Sequence, residues 1–196
     1  MTITVAITGA SGSIYAVEML KLLVADARVE HVDLVVSDAA LRVLAEELNL
    51  SGRNALAEKL LGEGNTAKVQ QHTDENIGAN IASGSYPCDA MIVLPCSMGT
   101  LAGIAHGMAS SLIERAADVM LKERRPLVLC VRETPLNLIH LRNMTAVAEA
   151  GATIYPVMPT LYNHPQTTAE MAREFVNRVA GFVGLRQAGA YVWGGI

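Results

Sequence analysis

Short apolar runs at residues 2–8 (TITVAIT), 31–37 (HVDLVVS), 89–95 (DAMIVLP) and 126–131 (PLVLCV) constrain this chain more than any other feature. They are rich in branched side chains and bounded by glycine, serine or proline, which is how strands covered on both faces read. Helical spacing fills the intervals. Ile14, Val17, Leu20 and Val24 recur on one helical face, and residues 38–49, 111–122, 137–150 and 167–184 also read as helices, with a further strand at 153–157. Residues 51–85 mix a short helix with polar, glycine-rich loops and form the least regular stretch. Strands alternating with helices give an α/β fold: a three-layer, doubly wound, mainly parallel sheet in a single domain.

Length and composition narrow the function. At 196 residues the chain has material for one core, and 51% hydrophobic against 17% charged residues points to apolar surface covered by other subunits, hence a homo-oligomer. A net charge of −4 offers no excess of cations to displace counterions from a nucleic acid. Cys88, Cys96 and Cys130 form no disulfide framework and, with five histidines, no metal-ligand spacing, so a reducing cytoplasm and no metal are expected. The start, MTITVAITGASG, reads as a strand rather than a signal peptide, and the uncharged run 90–113 is broken by Pro95, Ser97, Thr100, His106 and glycines, which argues against a membrane span.

The strand ends carry the chemistry. Gly9-Ala10-Ser11-Gly12 lies between a strand and a helix start, where glycine lets a backbone approach an anion and the first helical N–H groups face it; an ordinary tight turn explains it equally well. No acidic residue ends the second strand, against a dinucleotide ribose contact. It ends instead in Ser37, which can cap the next helix or bond a phosphate. Glu46 and Glu47 sit near the end of the following helix, where a carboxylate opposes the dipole, so one of them is a candidate for chemistry.

Residues 91–133 combine these signals. MIVLPCSMGTLAGIAHG is uncharged, and SSLIERAADVMLKERRPLVLCVRE carries nine charges. Ser97 and Thr100 open a helix; Arg115 and Lys122, seven residues apart, share a helical face; Arg132 and Glu133 end a strand. Taken by itself LKERR reads more readily as a solvated helix end whose cations complement the dipole, and salt-bridge packing is the alternative for the Arg132–Glu133 pair. Tyr162 and the single tryptophan, Trp193, stand out as walls for an apolar pocket, core or interface packing being the alternative.

GASGSIY, PCSMGTLAGIAHG, IERAADVMLKERRPLVLCVRETPLNLIHLRNM and LYNHP together resemble the UbiX/Pad1 flavin prenyltransferases over nearly the whole chain. Relatives of this kind were also described as aromatic acid decarboxylase subunits. The resemblance implies a Rossmann-like flavoprotein domain over residues 1–185 and a tail, 186–196, near the prenyl site. It implies transfer of a dimethylallyl group from dimethylallyl monophosphate to N5 and C6 of reduced FMN, without a metal. The product, prenylated FMN, serves UbiD-type decarboxylases, and relatives assemble as dodecamers.

By the same resemblance, Gly9, Ala10, Ser11, Ser37, Ser97, Met98, Gly99, Thr100 and Arg132 contact FMN. Lys122, Glu133, Tyr162 and Arg178 hold the prenyl phosphate, with Arg115 near it from the same or a neighbouring subunit. Ser11 and Glu47 assist proton removal, Glu133 manages a proton, and Trp193 shelters the allyl cation. Glu47 is chosen over Glu46 by alignment. Asp38 stands where many relatives have lysine, and Ser110-Ser111 where some have asparagine. The competing readings are an FMN-dependent cysteine decarboxylase of related fold, whose histidine and PASANT-like motif are missing from IASGSYPCD and PCSMGT, and a non-catalytic FMN carrier.

Overall fold

The apolar runs become strands because helices on both sides of them need an apolar wall. The computed structural model describes residues 1–191. Its elements are β1 (Thr2–Ile7), α1 (Ser13–Ala25), β2 (His31–Val36), α2 (Asp38–Leu48), α3 (Leu56–Leu61), β3 (Val69–Thr73), β4 (Ala90–Cys96), α4 (Met98–Ala105), α5 (Leu112–Lys122), β5 (Leu127–Val131), α6 (Leu138–Glu149), β6 (Thr153–Ile154) and α7 (Thr168–Phe182), with a short 3-10 turn at Asn80–Ala82. The strands lie in the order β3-β2-β1-β4-β5-β6, and every pairing is parallel.

The two-residue period of each strand sorts side chains between two cores. Ile3, Val5, Ile7, Leu34, Ile92, Leu94 and Val128 face α1 and α7, meeting Met19, Leu23, Phe175 and Val179. Ala6, Val35, Met91, Val93 and Leu129 face the opposite way, toward Leu101, Ile113, Ala117, Met120 and Val147 of α4, α5 and α6. Burying a side chain such as Leu94 completely stabilises the fold by roughly 1.5–3 kcal/mol.

The polar segment expected to be irregular contains a strand. VQQHT is β3, paired with β2 from Val32↔Val69 to Val36↔Thr73. As an edge strand it buries only His72, so it never needed an apolar run. A polar anchor takes the place of one: the two oxygens of fully buried Asp33 meet His72 Nε2 at 2.7 Å and the Tyr86 hydroxyl at 2.9 Å. At the opposite edge the regular strand β6 is only Thr153–Ile154, shorter than the expected 153–157, although Tyr155 and Val157 still donate to Leu129 and Val131 carbonyls.

Within β4, Pro95 has no N–H to donate, and the pairing with β5 slips between Val93 and Cys96. No helix among the described residues is long and apolar enough to cross a membrane, and the uncharged run is strand β4, helix α4 and the start of α5. The chain leaves β1 outward to β2 and β3, then returns to place β4 on the other side of β1. Helices α1 and α4 therefore depart to opposite faces, opening a crevice at the switch point.

Candidate active site

Four strand ends are fastened together at that crevice. Buried Thr8 donates its hydroxyl to the Pro95 carbonyl at 2.8 Å and accepts the Ser97 N–H at 2.8 Å, bridging β1 and β4. The Ser37 N–H donates to the Ile7 carbonyl at 3.1 Å, and that of Arg132 to the Cys96 carbonyl at 3.2 Å. Ser37 caps α2 by accepting from the Ala40 N–H, and Ser97 caps α4 by accepting from the Thr100 N–H. The hydroxyls of Ser97 and Thr100 lie 3.1 Å apart. Capping thus fixes the hydroxyls on the crevice floor.

The two glycines of interest there differ in kind. A Cβ at Gly9 would collide with the Ala39 side chain, so glycine at that position serves the close crossing of the β1–α1 turn over α2. A Cβ at Gly99 would meet nothing within 4 Å, which leaves the mouth of α4 open to a ligand. Hydroxyls and a helix start, with Arg132 following the neighbouring strand end, suit a ring-bearing phosphate such as FMN.

Helix α1 departs from the expectation of free N–H groups turned toward that ligand. Its first donors are taken by the chain's own carboxylate: Gly12 N–H reaches Glu47 at 3.0 and 3.1 Å, and Ser13 N–H at 2.7 Å. Gly12 holds φ 120, which favours glycine and turns these donors inward. Glu47, and not Glu46, is the carboxylate brought to the turn. Burial pushes its pKa up, but hydrogen bonds from Ser11, Ser13 and Gly12 outweigh that and hold it below the usual carboxylate value. The turn thus sets an ionised carboxylate beside the Ser11 hydroxyl.

A second opening lies beside the β6 edge. Tyr162 and Arg178 line one cavity of about 790 Å³ together with Tyr155, Asn177, Phe182, Arg186 and Tyr191. Tyr162 and Tyr191 stack with centroids 6.1 Å apart. Burial raises the Tyr155 phenol above its usual pKa, only partly opposed by the charge of Arg178, so it stays a neutral donor. Edge-to-face contacts run from Tyr155 to Phe175 at 5.5 Å and from Phe175 to Tyr15 at 5.2 Å. Burial also raises the Tyr15 phenol, and Arg132 is the nearby charge that opposes it. One aromatic row therefore links the crevice to the cavity.

The remaining predicted residues divide. Arg132 and Glu133 follow β5 on the surface, where Glu133 accepts the Thr134 N–H at 2.9 Å. Lys122 is not with them. It pairs with Glu123, and a Cβ at Gly84 would collide with both side chains. Gly84 leads into the start of β4, whereas Glu133 follows the end of β5, so Lys122 and Glu133 are separated by the length of a strand, roughly 20 Å at about 3.3 Å per residue. Arg115 pairs with Asp118 at 3.0 Å and donates to the Ala82 carbonyl at 3.3 Å. Within one chain, then, the expected grouping of Lys122, Glu133, Tyr162 and Arg178 forms only for Tyr162 and Arg178. Trp193 lies outside the described residues.

Sequence reading missed Thr8, Tyr15, Tyr155 and Arg186. The first and third lie one residue past regular strands, a position that in open α/β sheets borders ligand sites. Cys96, beside Ser97, is fully buried and its thiol is pushed up to about 12 by desolvation, so it is no nucleophile. Among the described residues no group of three or more His, Cys, Asp or Glu stands together to hold a metal ion.

An all-parallel doubly wound sheet with hydroxyls and an arginine at its switch point defines a Rossmann-like flavoprotein, and the Flavoprotein family matches residues 1–184. The chain belongs, within that class, to the UbiX family of flavin prenyltransferases. It is 49% identical over 175 residues to the flavin prenyltransferase UbiX of Salmonella typhimurium, covering 89% of this chain and 87% of that one. A UbiX protein solved in complex with FMN and dimethylallyl pyrophosphate superposes with a TM-score of 0.88 at 37% identity, covering 100% of this chain and 98% of that one. A dodecameric FMN-dependent UbiX-like decarboxylase from Escherichia coli O157:H7 also gives 0.88, at 40% identity over 100% of both chains.

Proposed function

We propose that the protein joins the dimethylallyl group of dimethylallyl monophosphate to N5 and C6 of reduced FMN, giving prenylated FMN for a UbiD-type decarboxylase. The observation that carries this reading, beyond family membership, is the pairing of Tyr162 with Arg178 in an aromatic cavity joined to the Arg132 crevice by Tyr15, Phe175 and Tyr155. Reduced FMN supplies the nucleophilic ring atoms. Ser37, Ser97, Thr100 and Arg132, with the backbone of residues 9–11 and 97–100, hold and orient it.

The chain's own groups account for the other demands of the reaction. Breaking an allylic C–O bond places charge on the departing phosphate, which Arg178 and the Tyr155 and Tyr162 hydroxyls would stabilise in a site walled by aromatic rings. Those rings also exclude water from the allyl group. Glu133 manages a proton at the phosphate end, and Glu47 with Ser11 accepts one at the flavin end. Lys122 and Arg115 act across a subunit boundary in a homo-oligomer, a dodecamer as in the relative from Escherichia coli, each completing the site of a second copy. Exposed Leu136, Leu138, Ile139 and Leu141 give that boundary its apolar surface. A cytoplasmic location fits three free, buried thiols.

Anaerobic incubation with reduced FMN and dimethylallyl monophosphate should yield a flavin heavier by one C5H8 unit in mass spectra. Flavin bound but unmodified would instead favour a carrier, and oxidative decarboxylation of a C-terminal cysteine substrate would favour the related cysteine decarboxylases.

A further inference from the structure

Lys122 ends α5 as an exposed lysine, and one segment of its own chain is built against it. Residues 82–86 (ASGSY) pass so close that a Cβ at Gly84 would collide with Lys122 and with its partner Glu123. The segment buries little of itself, Ser83 and Ser85 being exposed, yet it is fastened at both ends. The Tyr86 hydroxyl donates to fully buried Asp33 at 2.9 Å, and burial together with that bond raises the phenol above its usual pKa, so it stays a neutral donor. The Ala82 carbonyl accepts from Arg115 at 3.3 Å. Between these anchors, Arg125 donates to the Tyr86 carbonyl at 2.7 Å and to the Gly84 carbonyl at 2.8 Å.

The end of α5 is shaped for that grip. Arg124 takes the left-handed conformation, at φ 55, and the Arg125 N–H turns back to the Met120 carbonyl at 2.9 Å, which leads Arg125 beside the helix end it has just left. Its guanidinium has no ion-pair partner among the described residues and spans two carbonyls of one turn, a match for its planar fork that the point charge of a lysine cannot make. A cation committed to the backbone of an exposed turn fixes the turn, and the turn fixes the lysine packed on it. We propose that Arg125 is a positioning residue for prenyl transfer: by holding the Gly84 and Tyr86 carbonyls it seats the turn against Lys122 and so sets where that ammonium stands for the phosphate bound in a second copy. This rests on the reading of Lys122 as completing a neighbour's site. Arg125 meets no substrate itself and acts through Lys122.

Binding of dimethylallyl monophosphate to the FMN-loaded oligomer, with the flavin left oxidised so that nothing turns over, measures the effect. Arg125→Met should weaken it about tenfold with FMN affinity and oligomer size unchanged, and Arg125→Lys, which still reaches one carbonyl, should recover part of the loss. Should Arg125→Met not assemble, Arg125→Lys carries the same test with a smaller loss. In a Lys122→Ala background the Arg125 change should add less than about twofold, because the residue it positions is gone. A loss of equal size in both backgrounds, or none in the first, would overturn the proposal. Hydrogen exchange separates Arg125 from Lys122. The Tyr86 and Cys88 N–H groups donate to the Ser83 and Tyr86 carbonyls at 3.1 and 2.9 Å. Arg125→Met should speed their exchange at least about tenfold and leave that of β1 as it was. Unchanged exchange counts against Arg125 whether or not a prenyl phosphate binds. Faster exchange, with Lys122→Ala binding the monophosphate as tightly as wild type, would show instead that Lys122 faces no phosphate, and the positioning role would fall with that reading.

Discussion

The crevice at the ends of β1 and β4 is held by bonds inside one chain, whereas the cavity beside β6 is walled by side chains that the same chain leaves largely exposed. Thr8, Ser97, Ser37 and Glu47 all have intramolecular partners fixing their geometry. Around the second opening Tyr162, Arg178, Phe182 and Tyr191 are exposed to solvent, and Lys122 stands at the other end of a strand. A ligand site of the first kind is complete before anything binds. On the proposed reading the second kind is completed by a neighbouring copy, so its residues are read correctly only in an assembly.

The largest expected effect separates the two regions chemically. Arg178→Gln should lower prenyl transfer by about 10²–10³-fold while FMN affinity stays within about threefold, as measured by single-turnover kinetics and flavin fluorescence titration. A matching loss of FMN affinity would mean that the regions are not separable.

Thr8→Val keeps shape but removes both bonds across the switch point and strands a Ser97 N–H. It should cost about 1–3 kcal/mol in urea denaturation and weaken FMN binding about tenfold. Unaltered FMN affinity would show that the Thr8 bridge does not shape the crevice.

Glu47→Gln should act more weakly, because the carboxylate is exposed to solvent and its bonds are screened. The expected loss at pH 7 is about 1 kcal/mol or less. The folded pKa lies below the unfolded one, so this contribution is present above the ordinary carboxylate value and is lost as pH falls through the folded value. The gap between wild type and variant in denaturation midpoints should therefore narrow on acidification; a gap that widens would contradict the turn geometry. Smallest of all, Cys96 and Cys130 should resist thiol reagents in the native protein, since burial raises both thiols, and rapid labelling would mean that the β4–β5 core opens readily.

Much of this was legible in the sequence, for identifiable reasons. Strands β1, β2, β4 and β5 are covered on both faces, so their composition alone betrays them. Edge strand β3 escaped because its packing rests on Asp33, His72 and Tyr86, a polar anchor with no periodic trace. The hydroxyls at Ser37 and Ser97 were visible because helix capping has a local signature. The engagement of α1 by Glu47 was not, since the bond spans thirty-five residues and only the resemblance singled that residue out. Nor did helical spacing show where α5 sits in the fold: Arg115 and Lys122 share a face on paper, but only the fold shows that Lys122 points away from Glu133 of its own chain.

That last separation supplies the most direct measurement. Lys122→Ala and Glu133→Gln variants should each be inactive alone, yet mixed oligomers made by co-expressing the two should regain part of the prenyl transfer, because some sites then combine an intact Glu133 from one copy with an intact Lys122 from another. Mixed oligomers that assemble normally and remain as inactive as their parents would contradict a site completed between subunits.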